Sequence, residues 1–68
     1  MKVTLHFSGH AVTYDVIAEQ QVSELVSRFQ KAMGGQATNP FITLETAAAH
    51  VTVNVSYVVA IETEKAEG

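Results

Sequence analysis

Residues 1–17 carry two runs of strict alternation. Met1, Val3, Leu5 and Phe7 fall on one side of an extended chain, and Lys2, Thr4 and His6 fall on the other. A two-residue period of this kind predicts a strand with one buried face. Ser8-Gly9 interrupts the run, and a glycine there supplies the positive φ of a two-residue hairpin turn. Ala11 to Ile17 then alternates again. With Ser8 and Gly9 as the turn, Leu5 meets Val12, Val3 meets Tyr14 and Met1 meets Val16. On the opposite face Lys2 meets Asp15 and Thr4 meets Thr13, both favourable cross-strand pairs. A slip of one residue would mix the two faces, so the pattern predicts the register along with the hairpin.

The period changes over Glu19 to Met33. Val22, Leu25, Val26, Phe29, Ala32 and Met33 recur at three- and four-residue spacings, the stripe of an amphipathic helix. Glu19 near its start and Lys31 near its end match the helix dipole, and Glu24 stands one turn before Arg28. Gly34-Gly35 supplies the stop. Ala18 is a poor N-cap.

Gln36 to Pro40 reads as a polar loop leading into a second alternating pair, Phe41 to Thr46 and Val51 to Val55. The expected register sets Leu44 against Val53 and Ile42 against Val55, with Thr43 facing Asn54 and Glu45 facing Thr52 on the other side. The connection, Ala47-Ala48-Ala49-His50, offers neither positive φ nor side-chain capping. It is read either as a four-residue loop on a type I turn or as a contact surface. Asn54 is placed to cap one helical turn over Val55 to Tyr57, followed by a short closing strand over Val59 to Thr63. The predicted architecture is therefore α+β, a β-β-α-β-β(-β) domain over residues 1–63. Its sheet is mainly antiparallel, with the helix on one face, and residues 64–68 form a flexible acidic tail.

This order of elements resembles a small uncharacterised family of actinobacterial hairpin-helix-hairpin proteins, and small phage-encoded proteins have a similar look. The likeness is carried by Glu24-Leu25-Val26, by Phe41-Ile42-Thr43-Leu44-Glu45, and by Val53-Asn54 followed by Val58 and Ile61-Glu62. It implies the fold and brings no activity with it.

Size and composition sharpen the picture. A chain of 68 residues has room for one domain, and at this length folding buries only roughly 60% of the surface exposed by the unfolded chain. With 47% apolar and 16% charged residues the chain is globular rather than disordered. There is no cysteine, which removes disulfides, thiolate metal sites and Cys nucleophiles together. A small core without such staples is expected to gain from a partner subunit. A net charge of −3, with Lys2, Arg28, Lys31 and Lys65 as the cations, gives no basic field for nucleic acid. The longest apolar run, Val58 to Ile61, is far short of the roughly 20 residues that span a bilayer. No nucleic acid, no membrane and a cytoplasmic location are the expectations.

Candidate chemistry is sparse. His6 lies on the polar face of the first strand and His10 on the opposite face, so the two do not form a chelating pair, and His50 falls in the second connection. Ser8-Gly9-His10 places a hydroxyl near an imidazole, but at an exposed hairpin tip without an orienting acid. Asp15 is expected to face Lys2, while Glu62, Glu64 and Glu67 are assigned to a mobile end. Gly34-Gly35 follows a helix instead of opening one and so does not form a phosphate cradle. Phe41 is placed on the outer face of the sheet among neutral and acidic neighbours, which does not suit base stacking, and Tyr57 is read as an anchor for its turn.

No catalytic, cofactor-binding or metal residue is assigned, and no cofactor is expected. The leading expectation is a non-enzymatic protein-interaction module that forms a homo-oligomer. An outer strand carrying Ile17 or the Val58 to Ile61 run would leave an open edge, and the contact residues would be Ala47, Ala48, Ala49, His50 and Tyr57. The alternative is a small-molecule binder or sponge with pockets between subunits, to which His50, Tyr57 and Arg28 would bring polar contacts.

Overall fold

The computed structural model describes residues 1–36 and 39–64. It is α+β, in the order β1 (Lys2–Phe7), β2 (His10–Asp15), α1 (Glu19–Met33), β3 (Phe41–Glu45), β4 (His50–Asn54), a 3₁₀ turn (Val55–Tyr57) and β5 (Val58–Glu64). The expected loop over Gln36 to Pro40 lies partly outside the described residues, as does the expected tail apart from Glu64. No helix among the described residues is long and apolar enough to cross a membrane.

The first hairpin has the register that its alternation dictates: Lys2 faces Asp15, Val3 faces Tyr14, Thr4 faces Thr13 and Leu5 faces Val12. Gly9 takes φ +93° at the turn, a region open to glycine and strained for other residues. On the outer face the Thr4 and Thr13 hydroxyls are hydrogen-bonded at 2.8 Å. β5 pairs antiparallel with the other side of β1, which makes a three-stranded sheet in the order β2-β1-β5. β3 and β4 form a separate two-stranded sheet. The two sheets touch where β2 ends. Val16 bridges to Thr46, and the Ile17 N–H donates to the Glu45 carbonyl at 2.9 Å.

α1 begins without a side-chain cap at Ala18 and ends in a Schellman arrangement. The Gln36 N–H reaches the Lys31 carbonyl at 3.0 Å and the Gly35 N–H reaches Ala32 at 3.2 Å, with Gly35 at φ +77°. The helix turns Val22 and Leu25 fully inward, with Phe29 and Ala32 packed beside them. One core joins all the elements: Val3 and Leu5 from β1, Val16, the helix stripe, Ile42 and Leu44 from β3, Val53, Val55 and Val58. Among the described residues no polar side chain is buried in it.

The second hairpin departs from the expected register by two positions. Ile42 faces Val53, Thr43 faces Thr52, Leu44 faces Val51 and Glu45 faces His50. A shift of two leaves every side chain on its original face, so alternation alone does not distinguish these registers. Thr46 decides between them. Its hydroxyl accepts from the N–H groups of Ala48 (3.3 Å) and Ala49 (3.1 Å) and donates to the Ala49 carbonyl (3.0 Å), while its own N–H donates to the same carbonyl at 2.9 Å. The turn is therefore Thr46 to Ala49, a threonine-capped loop, and His50 is the first residue of β4.

The capped turn after β4 forms as its sequence predicts, with the Ser56 N–H on Asn54 Oδ1 at 2.9 Å. β5 is longer than expected at both ends, so Glu62 and Glu64 belong to a paired strand and not to a loose end. Their backbones face Thr4 and Lys2 across the ladder.

Candidate interaction surface

Strand edges are where this small fold exposes unpaired backbone, and the edges are treated differently. On β3 the odd-numbered residues point their N–H and C=O groups away from β4, toward the helix, because Pro40 and Val55 form a bonded pair (2.8 Å) and the parity runs from there. Helix side chains occupy that edge. Gln21 Oε1 accepts from the Glu45 N–H at 2.8 Å, and Arg28 donates to the carbonyls of Asn39 (2.8 Å) and Phe41 (3.3 Å). Arg28 is held in turn by Glu24, its Nη2 donating to Oε1 at 2.7 Å.

β5 has no such cover among the described residues. Met1 and Val16 exchange both backbone hydrogen bonds, so odd residues of β1 turn toward β2 and even residues toward β5. Lys2, Thr4 and His6 consequently bond Glu64, Glu62 and Ala60, and the backbone groups of Ile61 and Thr63 point outward. β2 also has an outer edge, but β3 meets it at Ile17 and closes one end.

Exposed apolar side chains gather where β5 begins. Among the described residues the large exposed ones are Ile17, Phe41, Met33 (72% exposed), Tyr57 (70%) and Val59 (60%). Met33 lines an open groove of about 180 Å³ with Phe29, Ala32, Val55, Ser56 and Val58. Tyr57 and Val59 flank Val58 in the chain. Tyr57 is thus displayed to solvent and does not anchor its turn, because the turn is held by Asn54 and by Val55 beneath it.

The predicted contact residues are all exposed, but the structure does not bring them together. Ala47, Ala48, Ala49 and His50 sit at the turn end of β4, and Tyr57 follows its other end, on the order of 16 Å away along a five-residue strand. The Val16–Thr46 bridge sets exposed Ile17 beside Glu45, on the β3 side of the turn. Nor do His50, Tyr57 and Arg28 meet, and the Arg28 guanidinium is already occupied by Glu24 and the β3 edge.

His6 and His10 lie on opposite faces, as their parity requires. His10 stacks on Phe7 with ring centroids 5.0 Å apart. His6 Nε2 is hydrogen-bonded to Glu62 Oε1, a carboxylate partner hidden from local sequence reasoning because it lies 56 positions away. No group of three or more His, Asp or Glu side chains is placed to hold a metal ion among the described residues.

Comparison of the chain with protein-family models, with curated proteins and with solved structures gave no match in any of the three.

Proposed function

We propose that the chain is a small non-enzymatic interaction module of the cytoplasm that self-associates and docks onto a larger protein partner. One observation carries this reading: exposed Met33 lines a groove at the start of β5, exposed Tyr57 and Val59 flank the groove residue Val58 in the chain, and the outer edge of β5 has no partner among the described residues. Apolar clusters of this kind on a small protein mark contact surfaces, and an uncovered strand edge recruits another chain. The absence of cysteine and the short length favour extra burial from a second subunit.

Native mass spectrometry at micromolar concentration tests it. A discrete multiple of the 7.3 kDa chain mass, reduced by Val59→Lys or Tyr57→Lys without loss of the fold, is the expected result. A single-chain mass across the concentration range would refute self-association.

The small-ligand reading has its own observation, a wide open groove of about 470 Å³ bordered by Met1, Glu19, Val22, Ser23, Val26 and Thr63. That volume falls within the range of small-molecule sites, although such sites are usually more enclosed. A co-purifying adduct in the same spectrum would favour it.

A further inference from the structure

We infer that two copies of this chain join β5 to β5 in antiparallel fashion about a twofold axis at Ile61, producing a six-stranded sheet in the order β2-β1-β5-β5-β1-β2. The inference rests on the self-association proposed above and specifies its geometry.

Charge selects the register. The outward-pointing backbone groups of Ile61 and Thr63 allow only registers that pair odd residues with odd residues across the seam. Centring the seam on Glu62 sets Glu62 directly against its copy. Centring it on Thr63 sets Glu62 against Glu64. Both place like charges opposite one another, which is destabilising. Centring it on Ala60 avoids this but leaves Thr63 and Glu64 without strand partners. Centring it on Ile61 sets Glu62 against Ala60 of the second copy and Glu64 against its Val58, so the acidic half of each strand lies along the apolar half of the other. It is also the register that uses β5 over its whole length.

Packing agrees with charge. Val12, Leu5 and Ile61 form one row across the inner face of the three-stranded sheet. In the Ile61 register this row continues without a break through the Ile61 of the second copy, and each half-buried Ile61 gains an apolar neighbour. The irregularity between β1 and β5 opposite His6 and Phe7 falls near the two ends of the seam and leaves its centre regular. The other exposed edges fit less well. β2 is blocked at Ile17, β3 is sealed by Gln21 and Arg28, and β4 has an open outer edge but offers five strand residues against the seven of β5.

The test pairs an isotope-filtered NMR experiment on a mixed labelled and unlabelled sample with dissociation constants of three variants. An intermolecular contact between the α-protons of Ala60 and Glu62 is expected, since these residues form the close non-hydrogen-bonded pair flanking the axis. Ala60→Lys, opposite Glu62 in two symmetric places, should tighten association severalfold, and Ala60→Glu should weaken it by a similar factor. Thr63→Pro removes an N–H that faces outward in the monomer, so it should abolish the seam while the monomer's own amide spectrum persists. If the oligomer persists unchanged in Thr63→Pro and in both Ala60 variants, and no Ala60–Glu62 contact appears, this geometry is overturned while self-association stands. A monomer at all concentrations overturns both.

Discussion

Gln21 and Glu45 lie on different elements, yet the Gln21 side-chain oxygen takes the backbone N–H of Glu45 at 2.8 Å and thereby fills a bonding site on the edge of β3. With Arg28 two turns further along the same helix, it makes α1 a substitute for a missing strand. Gln21→Leu should therefore cost about 0.5–1.5 kcal/mol in chemical denaturation. The specific readout is hydrogen exchange, in which the Glu45 amide should exchange faster than in the parent protein while the Leu44 amide, bonded within the hairpin, changes little.

Arg28 gives a sharper case because its geometry matters as well as its charge. Its guanidinium spans Glu24 on one side and two carbonyls on the other, which an ammonium cannot reproduce. Arg28→Lys should destabilise by about 1 kcal/mol despite conserving charge. Little of that loss should disappear in high salt, since the exposed Glu24 pair contributes little compared with the carbonyl bonds. Rescue by lysine to the stability of the parent protein would contradict this.

Thr46 fixes the second hairpin. Thr46→Val keeps the shape but removes the hydroxyl that serves Ala48 and Ala49, and a loss of about 1 kcal/mol is expected, as for a lost cap. Cross-strand contacts by NMR provide the diagnostic. Once the turn is released, some population should re-pair Leu44 with Val53, two positions from the native register.

Gly9 has open space where a side chain would go, so Gly9→Ala should not clash. It should nevertheless cost about 1–2 kcal/mol, because φ +93° is strained for alanine. Leu25→Ala, by contrast, empties a fully buried site and should cost about 2–5 kcal/mol by thermal or chemical unfolding.

What was legible in the sequence follows the range of the interactions. The first hairpin was read to the residue because turn chemistry at Gly9, apolar alternation and the Lys2–Asp15 and Thr4–Thr13 pairs all select one register. α1 and the Asn54-capped turn were equally legible, since their signals are local. The β3–β4 register was missed by two because alternation does not distinguish even shifts, although Thr46 carried the needed signal in its hydroxyl. The β1–β5 pairing, and with it the His6–Glu62 bond, was illegible because nothing near either strand names its distant partner. The candidate surface was read in pieces. Tyr57, read as an anchor for its turn, is exposed; Val59 lies two positions further along the chain, Met33 comes to the same end through the packing of α1 against the 3₁₀ turn, and Ala47 to His50 lie elsewhere.

The pairing of β1 with β5 also orders events in time. β1 is the first strand in the chain and occupies the middle of its sheet, yet one of its two neighbours is the last strand. The hairpin with β2 needs only a two-residue turn and can form within microseconds, whereas the other side of β1 waits for a loop of more than fifty residues to close. Until then the N–H and C=O groups of Lys2, Thr4 and His6 have no strand beside them. During synthesis, a half-made copy of this protein offers its most central strand to whatever chain is nearby, and the arrival of β5 ends that interval.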